Sequence, residues 1–170
     1  MGTGGRFEAC AKEPKVAATL RFLQFLSLGC WLGGILFFSF VVAQGAFSVL
    51  PTSDLAGALV GYTLTRLHIL GIAAGCLYLI ATVALEKSVG ALERPASLLV
   101  FLMVVCTVLS QYGVIARMDV LRAQMGSVAA TQVGNPLRVA FDRLHQYSVW
   151  LESAVLVSGL AALFLTARQK

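Results

Sequence analysis

Charged residues are the scarcest broad class in this sequence. They fill 12% of its 170 positions, against roughly a quarter in a soluble domain, while hydrophobic residues reach 58% and mean hydropathy is +0.84. A chain with so little charge has too few groups to solvate its own surface, so an integral membrane protein is expected. Cysteine occurs four times without a Cys-x-x-Cys, and Cys30, Cys76 and Cys106 fall inside apolar runs, which argues against a disulfide framework. Histidine occurs only as His68 and His145, with no His-x-x-x-His and no acidic cluster beside either. The chain has no phosphate loop, no dinucleotide fingerprint and no nucleophile-base-orienter set, so no enzyme is expected. Basic and aromatic residues do not interleave as they do for nucleic acid, and the net charge of +5 fits anionic lipid headgroups instead.

Long apolar runs dominate what is present. They lie within predicted helices at about residues 20–47, 55–86, 96–122 and 137–167, each longer than the roughly 20 residues that cross a bilayer; the second, third and fourth are apolar over Leu67–Leu85, Ala96–Ala116 and from Tyr147 onward. Thr52-Ser53-Asp54 offers an N-cap to the second run, and Asn135-Pro136 is a helix start for the fourth. The short charged turn from Glu86 to Pro95 forces its flanking helices into a hairpin. The predicted fold is therefore all-α: an antiparallel, up-down-up-down membrane four-helix bundle with helices extended beyond the bilayer on the outer side. Residues 1–19 read as a flexible cytoplasmic tail and 20–167 as the transmembrane domain, with an uncleaved first span. Eight of the 13 Lys and Arg residues fall on the side of the termini and the Glu86 turn. The positive-inside rule then puts both termini in the cytoplasm of a bacterial inner membrane.

Helical spacing assigns faces to the polar residues. His68, Gly71 and Gly75 recur at intervals of three and four, as do His145, Ser148, Glu152 and Gly159. Glu152 then lies about 10 Å below His145 and is the carboxylate inside an apolar run. A charge at a helix centre costs about 2.5 to 3.5 kcal/mol, so Glu152 needs a partner or a water-filled cavity. Ser110, Gln111 and Arg117 on the third span reach the same depth, and a polar pocket of His68, His145, Ser148, Glu152, Ser110, Gln111 and Arg117 is expected, open to the outside. Arg66 and Arg143, one residue from each Leu-His, are candidates for headgroup or anion contacts. Gly29 with Gly33, and Gly71 with Gly75, form small-xxx-small pairs suited to close helix packing. Cys30, Cys76 and Cys106 share a depth near the midplane, as a soft-ligand route for a cuprous ion would require, although buried cysteine is ordinarily just a small hydrophobe.

Three stretches also carry a resemblance: Trp31-Leu32-Gly33-Gly34 with the aromatic run to Phe40, Arg66-Leu67-His68, and Phe141 with Leu144-His145 and Ser148. Together they resemble the transmembrane protein 205-like family, four-span membrane proteins catalogued in bacteria as a domain of unknown function of the 4149 type. That family usually has Asn four residues after the serine, where this chain has Glu152. The first span is also similar to helices of CopD-type copper-resistance membrane proteins, in which His often stands at the position of Gln24.

The leading expectation is a non-enzymatic membrane protein that binds a lipid, a small solute or partner subunits, with no cofactor. The alternatives are a redox or transport protein holding haem b or copper on His68 and His145, and an accessory subunit or homo-oligomer packing through its small-residue faces.

Overall fold

The computed structural model describes residues 4–168, with side chains from Lys15 onward. Among the described residues every regular element is helical. Helix α1 (Gly4–Phe37) runs through a π-helical stretch, Phe38–Val42, into α2 (Ala43–Val49). Helix α3 (Ser53–Glu86) follows, its first turn capped by the Thr52 hydroxyl accepting from Leu55 N at 3.3 Å. A short 3-10 turn, Val89–Glu93, leads to α4 (Pro95–Val108), which passes through a second π-helical stretch, Leu109–Ile115, into α5 (Ala116–Met125). Helix α6 (Pro136–Arg168) is the last described element. Lys15 to Thr19, the last residues of the expected tail, are helical and continuous with α1. The side chains of the rest of that tail lie outside the described residues.

The four spans are 31 to 35 residues long. At 1.5 Å per residue they reach roughly 50 Å, beyond the roughly 30 Å of hydrocarbon, so each extends past the bilayer. Large apolar residues such as Phe101, Val157 and Phe164 are exposed on the outside of the bundle, a surface suited to lipid. The helices form a square: α1 packs on α3 and α6, and α4 packs on α3 and α6, while the diagonals make no backbone contact.

The centre is filled along one diagonal by Trp31 of α1 and Met103 of α4, with Leu28, Ile35, Val100 and Val155 around them. Glycines make room for these side chains. A Cβ on Gly71 would collide with the Trp31 indole, one on Gly75 would lie 2.5 Å from Val104 and 2.8 Å from Trp31, and one on Gly159 would lie 2.5 Å from Leu32. The other pair expected to pack does not. Gly29 and Gly33 are exposed, and a Cβ on either meets nothing within 4 Å. Gly34, one residue on, faces Leu67 of α3 instead.

The opposite diagonal, α3 to α6, is bridged by polar side chains at two levels. At the end holding the termini, Tyr78 donates to the Thr166 hydroxyl at 2.7 Å, since Thr166 itself donates to Ala162 O. Beside it Gln24 donates to Thr82 at 2.8 Å. Tyr78 and Thr166 are polar contacts that helical spacing alone did not single out. Because Thr166 keeps its backbone bond, Tyr78→Phe is expected to cost only about 1 kcal/mol, measured by unfolding in mixed micelles. A loss above about 3 kcal/mol would mean that the hydroxyl holds the diagonal together.

Candidate functional site

The second level lies toward the far end, opposite the termini, and joins three helices. His68 on α3 is 2% exposed. Its Nδ1 faces Gln111 Oε1 at 2.8 Å and its Nε2 faces Glu152 Oε1 of α6 at 2.5 Å. An amide oxygen can only accept, so Nδ1 carries a hydrogen. A contact as short as that on Nε2 also needs a hydrogen between the two atoms. Either a protonated Glu152 donates to neutral imidazole, or imidazolium donates to the carboxylate. Either way the contact joins α3 to α6, and it gives the intramembrane carboxylate the partner it needs.

Local structure explains how Gln111 arrives there. From Ser97 on, buried positions on the third span advance by three or four residues up to Thr107 and Ser110, and then by five to Ile115. That extra residue is the π-helical stretch, a departure from α-helix frequently found at functional sites. Most buried hydroxyls in the bundle bond to the carbonyl four residues back, as Thr107 does to Met103 at 2.9 Å. Ser110, within the stretch, is the one buried side-chain polar atom among the described residues that has no partner.

Glu152 also faces a cavity of about 1110 Å³. This space is lined by the end of α1, the first π-helical stretch, α2, the first half of α3, Ile115, α5, the connection around Val128 and the first half of α6. Phe38, Phe40, Phe47, Leu64, Phe141 and Leu156 form much of its wall. Its volume is at the upper end of small-molecule sites, which run to roughly 1,000 Å³. One side is incomplete: α2 packs on α3 but makes no contact with α6. The residues flanking that gap are exposed, with Phe40 at 66%, Phe47 at 56% and Val149 at 44%.

Of the residues expected in a polar pocket, His68, Gln111 and Glu152 meet by hydrogen bonds, and His145, Ser148 and Glu152 line the cavity together. His145 is exposed there, whereas His68 lies behind Glu152 with both ring nitrogens engaged. A metal or haem iron on His68 would first have to displace Gln111 or Glu152. Arg117 is exposed on α5 and does not line the cavity, because the π-helical stretch turns α5 so that Met118 and Arg122 face inward instead. Arg122 is the residue the expected pocket missed; its i, i+3 spacing from Asp119, 3.9 Å away in the structure, is that of an ordinary exposed helix pair and gives no sign of a site. Arg66 is exposed and stacks on Tyr62 at 5.1 Å, and Arg143 is exposed. Cys30 and Cys76 are exposed and Cys106 is half-buried. Equal depth did not bring them to one face, and among the described residues no cluster of three metal-ligating side chains forms.

The upper rim of the cavity is built by side-chain clasps. Asp54 at the start of α3 accepts from Ser127 Oγ at 2.5 Å, Val128 N at 2.9 Å and Ala129 N at 3.3 Å, so the connection before α6 is pinned to α3. Arg138 pairs with Asp142 through Nε at 3.0 and 3.1 Å, and also donates to Val128 O.

Residues 26–127 match a family described as a domain of unknown function (DUF4149). The match takes in Trp31, His68 and Gln111, while Glu152 and the rest of α6 lie beyond it. No curated protein and no solved structure matches the chain.

Proposed function

The chain belongs to the DUF4149 family, and for this multi-pass membrane protein we propose a binding function, exercised on a lipid-soluble molecule in the cavity at its far end. The observation that carries the reading is the double exposure of Glu152, which is hydrogen-bonded to the buried His68 on one side and lines the cavity on the other. A carboxyl in that position can hydrogen-bond a bound molecule while His68, itself held by Gln111, keeps it in place. The mostly apolar wall supplies affinity and the polar groups supply orientation, as in other small-molecule sites. No covalent step is part of this reading. The excess of basic residues at the end of the termini supports placing the cavity end outside the cytoplasm.

The reading requires that a molecule dissolved in the bilayer reach Glu152. With the protein in phosphatidylcholine nanodiscs, the hydrophobic carbodiimide dicyclohexylcarbodiimide is expected to modify Glu152, as read by peptide mass spectrometry, and to leave Glu86 and Glu93 at the membrane surface largely unmodified. Glu152→Gln is expected to abolish that adduct. Absence of an adduct on Glu152 in the folded wild-type protein would remove the reading.

A further inference from the structure

The cavity wall is not electrically uniform. Its acidic groups at the rim are already satisfied: Asp54 takes three donors from residues 127–129, and Asp142 takes both bonds from Arg138. Glu152 is hydrogen-bonded to His68 at 2.5 Å. Arg122 differs. Its guanidinium makes one long hydrogen bond, to Gly57 O at 3.4 Å, and a loose ion pair with the exposed Asp119 at 3.9 Å, and it also feels Asp54, whose carboxylate is held mainly by Ser127 and the backbone of residues 128–129. It lies along the side-chain-free strip of Gly57 and Gly61 and beside the Phe141 ring, 5.7 Å from its centre. The cation is thus positioned by backbone and ring while most of its five donors remain available to the cavity.

Two further features fix what such a cation would meet. The space next to it is walled by aromatic and aliphatic side chains, and the gap between α2 and α6 opens it sideways toward lipid. A small soluble anion would leave that wall without a partner, and a neutral hydrocarbon would leave most of the Arg122 donors unused. Resting on the reading of the cavity as a binding site, we infer that its occupant is an amphiphile with an anionic head, a carboxylate or a phosphate, that enters between α2 and α6. Its head is received by Arg122 and its apolar tail lies along Phe38, Phe40 and Phe47.

The test uses the full chain in phosphatidylcholine nanodiscs with a diazirine-bearing fatty acid as photoprobe, its adducts located by peptide mass spectrometry. Adducts are expected on α2 and on α6 near Val149. Oleate or dioleoyl phosphatidate is expected to compete at least tenfold better than oleylamine or oleyl alcohol, and inorganic phosphate alone is expected not to compete. Competition by oleate only, or by phosphatidate only, identifies which head is taken, and either supports the inference. Arg122→Gln is expected to weaken competition by roughly tenfold or more, the scale of a lost charged hydrogen bond, and Arg122→Lys to restore part of it.

Equal competition by oleyl alcohol would overturn the inference, as would competition by inorganic phosphate alone. Adducts confined to outward residues such as Phe101 would do the same, and so would a second copy of the chain crosslinked into the gap. The competitor's head group is varied on the unaltered protein, so the result stands even where Arg122→Gln fails to fold. If these arms fail while the carbodiimide still modifies Glu152, the ligand class is wrong and the binding reading survives. Loss of that modification removes the binding reading itself.

Discussion

Replacing His68 with leucine is expected to destabilise the bundle by about 3 kcal/mol, measured by unfolding in mixed micelles. Leucine fits the space but leaves Glu152 and Gln111 facing a hydrocarbon group where each now has a partner at 2.5 and 2.8 Å. Removing one member of a buried polar pair strands the other, and that desolvation cost exceeds the modest net contribution of the bond itself. Glu152→Leu is expected to cost less, because a neutral imidazole is easier to bury than a carboxyl group. The double variant His68→Leu/Glu152→Leu is expected to be more stable than the sum of the two singles predicts by about 1.5 kcal/mol, since neither group is then stranded. Strict additivity would show that the two side chains do not meet across the α3–α6 diagonal in the membrane. A negligible effect of His68→Leu alone would show that water or another group already satisfies Glu152.

The second large effect lies at the bundle centre. Gly71→Ala is expected to destabilise by about 2 kcal/mol, within the range for overpacking a core, because the added methyl group meets a rigid indole. Trp31 is 3% exposed, and Gly75 beneath the same ring closes the other route of retreat. Gly29→Ala and Gly33→Ala form the contrasting pair. They add a methyl group into open space on an exposed face, and alanine is the better helix former by roughly 0.8 to 1 kcal/mol. They are therefore expected to leave stability unchanged or slightly raised. Should Gly33→Ala instead split an oligomer seen by size-exclusion chromatography, that face would be covered by another subunit.

The comparison of these two glycine pairs marks how far the sequence reads. Both have the same spacing and the same small-xxx-small form, yet only one is packed. Spacing reports which residues share a face of their own helix, and it carries no information on which way that face turns in the bundle. The three cysteines show the same limit, since depth follows from counting along a helix and direction does not. The π-helical stretch was equally hidden. One extra residue inside an apolar run leaves hydropathy unchanged, but it sets the phase of everything beyond it, and so brings Arg122 inward and leaves Arg117 outside.

By itself the sequence determined the properties that depend on neighbours along the chain. These are the four spans, the hairpin turn between Glu86 and Pro95, the Thr52 cap, and the demand of an intramembrane Glu152 for a partner, with His68 among the candidates. Hydrophobic length, capping chemistry and the cost of burying a carboxyl group are local quantities, and they can be read residue by residue. Only the tertiary structure decided who stands opposite whom: Trp31 on Gly71 and Gly75, His68 between Gln111 and Glu152, and Arg122 over Gly57. Those pairings arise when four rotated helices close on one another, where side-chain volume and hydrogen-bond satisfaction across the bundle select the rotation of each.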